Sequence, residues 1–69
     1  MVSRSVRKII DAIASRNEDA AVSVMRAAES LGDEVLRQQL YRVIHRLNQD
    51  AAELRQVRDA LVLDDRQRA

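Results

Sequence analysis

Sixty-nine residues make one small domain, and a single core of that size supplies only about 3–5 kcal/mol of net stability, so staples are usually needed. Cysteine is absent and His45 is the lone histidine, which excludes disulfides and any His/Cys zinc cage within one chain. A net charge of +1 on a chain that is 46% apolar and 33% charged excludes a disordered chain, a membrane-spanning chain and a strong basic field.

The charge is arranged in blocks: +3 over residues 1–16, −4 over 17–36, +3 over 37–58 and −1 over the remainder. Blocks this short and mixed suit solvated helix flanks that attract one another. The basic N-terminal residues Arg4, Arg7 and Lys8 interrupt Val6, Ile9, Ile10 and Ile13, so no continuous apolar signal region forms and the expected location is cytoplasmic.

The first predicted element is a helix over about residues 4–31. Val6, Ile10, Ile13, Asn17, Ala20, Val24, Ala27 and Leu31 recur at alternating steps of four and three, the repeat that lays one apolar seam along a helix. Gly32 and Asp33 then read as stop, turn and start. A glycine just past a helix end relieves left-handed strain, and an aspartate cap accepts the free N–H groups of the next helix.

A second helix is predicted over about 34–62, with Leu36, Leu40, Val43, Leu47, Asp50, Leu54, Val57 and Leu61 repeating the same steps. So short a turn folds it back on the first, giving an antiparallel all-α hairpin over residues 1–63. Residues 64–69 carry no apolar periodicity and read as a frayed polar tail. Folding about Gly32 pairs residues whose numbers total about 65, bringing Asn17 near Asn48 and Asp50, and Arg16 near Asp50. Asn17 and Asp50 interrupt the two seams. They read either as a polar layer that sets register and partner choice or as caps where each long helix breaks, since Asp50-Ala51-Ala52-Glu53 has capping-box spacing.

Beside each seam runs a patchier apolar row: Ile9, Ala14, Ala21, Met25 and Ala28 on the first helix, and Tyr41, Ile44, Ala51 and Val62 on the second. One hairpin partner covers one stripe, so this second row is expected to meet another copy in a four-helix-bundle-like dimer. The residues expected to carry core and assembly are Ile10, Ile13, Val24, Leu40, Val43, Leu47, Leu54, Val57 and Leu61.

Chemistry is absent by elimination. Ser3, Ser5, Ser15, Ser23 and Ser30 lack a nucleophile elbow, and the chain has no glycine-rich phosphate loop and no second histidine, so neither enzyme activity, a metal nor a cofactor is expected. The most distinctive polar cluster is Arg37, Tyr41, Arg42, His45 and Arg46, with Arg37, Tyr41 and His45 at i, i+4 and i+8. It reads as a partner-binding face anchored by Tyr41. In the plainer reading Tyr41 caps a bundle edge and the arginines pair with Glu18, Asp19 and Glu29 across the hairpin.

In shape, a compact cysteine-free hairpin expected to dimerise through heptads resembles the plasmid Rop type of protein. That likeness implies that such a hairpin can act as an RNA-binding regulator. Two functional expectations follow. One is a non-catalytic helical interaction or regulatory protein that homo-oligomerises and contacts a protein partner, with no membrane role. The alternative is a small nucleic-acid-binding regulator using Arg37, Arg42 and Arg46 across a dimer face.

Overall fold

The computed structural model describes residues 4–68, with side chains described as far as Leu63. Two helices account for almost all of it: α1 (Arg4–Glu29) and α2 (Glu34–Arg68), joined by residues 30–33 and packed against each other as a hairpin. Neither breaks at Asn17 or Asp50. With proline absent and the single glycine in the connection, nothing interrupts either hydrogen-bond ladder, and the capping reading of those two residues is set aside. The same reasoning explains why α2 runs to Arg68 instead of ending near 62: Asp64–Arg68 lack apolar period but contain no breaker.

The turn forms only partly as the sequence suggests. Asp33 caps α2 as expected, its Oδ1 accepting the Leu36 N–H at 3.1 Å while its carbonyl accepts the Arg37 N–H at 3.0 Å. Gly32, however, does not adopt the left-handed conformation. The end of α1 is closed by tight three-residue bonds, Ser30 N–H to Ala27 O at 3.3 Å and Leu31 N–H to Ala28 O at 3.1 Å. The Ser30 hydroxyl also donates to Ala27 O at 2.9 Å. With those carbonyls satisfied, no left-handed residue is required.

The seam is rotated from its expected place. The buried residues are Ala14, Ala21 and Ala28 on α1 and Ile44 and Ala51 on α2, each set seven residues apart. They alternate with half-buried Ile10, Asn17, Val24 and Leu31, and with Leu40, Leu47, Leu54 and Leu61. The last two rows were read correctly. The other expected rows lie one residue too early, and Val6, Leu36, Val43 and Val57 remain 41–50% exposed. The hairpin therefore closes on the alanine row that was assigned to a second copy, and it leaves the valine and leucine row half open. The physical reason is steric: two backbones approach most closely along the line of smallest side chains, which lies one residue, about 100° around each axis, from the expected row.

Candidate functional site

The two long sides of the hairpin differ in chemistry. On an antiparallel pair, positions that follow the half-buried row of each helix fall on one side, and positions that precede the alanine row fall on the other. The first side is sealed by ions. Arg55 of α2 grips Glu18 of α1 through both guanidinium nitrogens, Nη1 to Oε2 at 2.7 Å and Nη2 to Oε1 at 2.8 Å. One turn on, Arg58 reaches Asp11 on α1 while also holding Asp59 on its own helix, with Nη2 at 3.0 Å and Nε at 3.1 Å from Oδ1. The bidentate bond from Arg55 holds the Glu18 carboxyl below its ordinary value, and the carboxylates in turn raise Arg55 and Arg58. The residue numbers in these pairs total about 70, so the register is offset by a few residues from the expected 65.

The second side is open and apolar. Val6, Ile13, Ala20 and Ala27 of α1 face it together with Leu36, Val43 and Val57 of α2, and the half-buried leucines lie between them. Here Asn17, Asp50, Glu53, Leu54 and Val57 line one groove. The structure thus brings Asn17 and Asp50 together, as read from the sequence, but in the middle of continuous helices. Of the residues expected to carry assembly, Ile10, Ile13, Val24, Leu40, Leu47, Leu54 and Leu61 are half-buried, and Val43 and Val57 are 45% and 50% exposed.

The polar cluster on α2 divides. Tyr41, Arg42, His45 and Arg46 line a shallow surface groove with Gln38 and Gln49. Arg37 is turned toward the seam and is tied to Glu34, which also accepts from Gln38 Nε2 at 2.9 Å. Those bonds, from Gln38 first and Arg37 second, lower the Glu34 carboxyl, and Glu34 raises Arg37. Arg42 and Arg46 form no ion pair among the described residues, and Glu18 is taken by Arg55. The reading in which they pair with Glu18, Asp19 and Glu29 across the hairpin is therefore overturned.

Comparison with family models, with curated proteins and with solved structures finds no match to the chain. The geometry is therefore the only guide to function. Among the described residues no helix is long and apolar enough to cross a membrane. The sequence reading placed Glu18 in an ion pair across the hairpin but with the wrong arginines, and it missed Asp11, Arg55 and Arg58. The signal was nonetheless present: Asp11 and Glu18 are seven residues apart on α1 and fall one position after the correctly read row, as does Arg55 on α2.

Proposed function

We propose that this chain is a non-catalytic, cytoplasmic helical interaction protein that self-associates through its open apolar side, as a homodimer of four-helix-bundle form, and offers the outer face of α2 to a protein partner. The observation that carries the reading is surface. A compact monomer of 7.9 kDa exposes about 4,400 Å² and a compact 69-residue chain has a radius of gyration of about 11 Å. This chain exposes 5325 Å² and measures 16.1 Å. The excess, on the order of 900 Å², is close to the ~800 Å² that each partner hides in a standard stable interface. Its core is correspondingly thin: among the described residues four alanines and Ile44 are buried, and no large side chain is fully so.

The test uses a residue that the lone hairpin does not need. Val43→Asp adds a charge at a position already 45% exposed, so the hairpin tolerates it, whereas a paired face buries it without a partner. Light scattering on the purified chain is expected to give a dimer for the natural sequence. The variant is expected to be a helical monomer. A natural chain that stays monomeric and melts cooperatively in dilute solution overturns the proposal.

Arg42 and Arg46, exposed beside Tyr41 and His45 and without ion pairs among the described residues, favour a second reading, a nucleic-acid-binding regulator. Arg37, tied to Glu34, weakens it. A gel shift that appears at micromolar protein and fades steeply with salt selects this reading, and no shift removes it.

A further inference from the structure

The open side is apolar along most of its length but carries one polar level. Asn17 and Asp50 stand near the middle of α1 and α2 and share a groove with Glu53. Arg16, exposed, is next to Asn17 on the outer edge of the same side. A level of this kind, half-way along, distinguishes the ways in which two such faces can meet.

We propose that the occupant of the open side is a second copy docked with its turn at the same end, so that Asn17 of each copy meets Asp50 of the other. The inference rests on the self-association proposed above and adds its geometry. Two symmetric arrangements bury the whole 56 Å length. An axis running along the hairpin keeps every residue at its own level and sets α1 against α2 of the second copy. An axis running across it reverses the ends and sets each helix against its own duplicate.

Under the first axis, the Asn17 amide donates to the Asp50 carboxylate of the second copy, twice by symmetry, and Arg16 lies level with Glu53 of the second copy at the rim. Each polar group brought out of water then has a partner of complementary type. Reversal about the middle sets Asp50 against Asp50 and Arg16 against Arg16. Two carboxylates that share a drying level repel each other and leave their acceptors without donors. Reversal does gain pairs between Arg46 and Glu53, but these are rim contacts that water and salt weaken. The central level therefore decides, and it selects the arrangement with both turns together. The same level is the negative element that separates two otherwise similar apolar faces.

The absence of cysteine makes the test clean. Ser30→Cys places one spin label per chain on an exposed residue beside the turn, and the label-to-label distance is read in the dimer. The expected distance is well under half the 56 Å length of the hairpin, and a distance near the full length overturns the inference. The second arm is the sign of one substitution. Asp50→Asn is expected to weaken the dimer by about tenfold or more, because a charge-assisted bond is lost on each side. If reversed copies form instead, the same change removes a repulsion and tightens the dimer, which overturns the inference, as does an unchanged dissociation constant. A dimer with distant labels or a tighter Asp50→Asn variant defeats the docking geometry alone. A chain that stays monomeric until a different protein is added defeats the self-association reading as well.

Discussion

Asp33 and Gly32 are neighbours with opposite jobs, and their replacement by alanine separates those jobs. Asp33 gives a carboxylate oxygen to the Leu36 amide and starts α2; without it a helix N–H loses its acceptor. Asp33→Ala is expected to cost about 1 kcal/mol in a urea titration at fixed protein concentration. Gly32 is not left-handed, and a Cβ built on it meets nothing within 4 Å. Its freedom serves the unfolded chain more than the folded one. Gly32→Ala is therefore expected to be tolerated and to gain about 0.4–1 kcal/mol. A loss larger than that gain in the same titration would mean that the turn needs the conformational range of glycine. The aspartate cap was readable because its chemistry is local. The glycine was misread because helix ends have more than one way to satisfy their last carbonyls, and the choice depends on hydrogen bonds that sequence alone does not display.

Between the helices, the close approach is set by Ala14, Ala21, Ala28 and Ala51. A larger side chain in that line must push the backbones apart or leave its rotamer. Ala21→Leu is expected to destabilise the hairpin by about 1–3 kcal/mol, although leucine is as apolar and as helix-favouring as the site could ask. Val57→Ala, on the open side, is expected to leave the isolated hairpin nearly unchanged, and thermal unfolding followed by circular dichroism compares the two. Equal effects would place the seam elsewhere. The two-helix architecture and its connection were legible in the sequence because period, a lone glycine and a cap all agree. Which stripe faces which neighbour was not legible. The 4-3 repeat passes through Ile10, Val24, Leu40, Leu54 and Leu61 under either assignment, and hydrophobicity favours the larger companions Ile13 and Val57 over Ala14 and Arg58. Packing follows shape, and shape favoured the alanines. The cluster on α2 was likewise half legible. Tyr41, Arg42, His45 and Arg46 share the expected surface, while Arg37 was drawn to Glu34 by an i, i+3 bond available on its own helix.

The whole molecule has a sealed side and an open side, and pH acts on the sealed one. Glu18 and Glu34 are held below the ordinary carboxylate value when folded, mainly by hydrogen bonds from Arg55 and from Gln38 with Arg37 respectively. A lowered folded value means that the folded state binds its proton less readily than the unfolded state. Stability is therefore full above the ordinary carboxylate range and falls as pH drops through it toward the lowered values. Melting temperatures are expected to decline on that acid side, and Glu18→Gln is expected to flatten part of the decline; identical profiles for the two proteins would show that the Arg55 pair contributes nothing. Because the Glu18 and Arg55 side chains are solvent-accessible, added salt shrinks the effect. The contrast between the sides also limits growth. A molecule coated with grease all round would recruit neighbours without end and grow into a filament or a precipitate. This one gathers Val6, Ile13, Leu36, Val43 and Val57 on one side, and its opposite flank is occupied by its own arginines and carboxylates. If the open side pairs as proposed, one second copy uses it up, and assembly is expected to stop at a particle of fixed size.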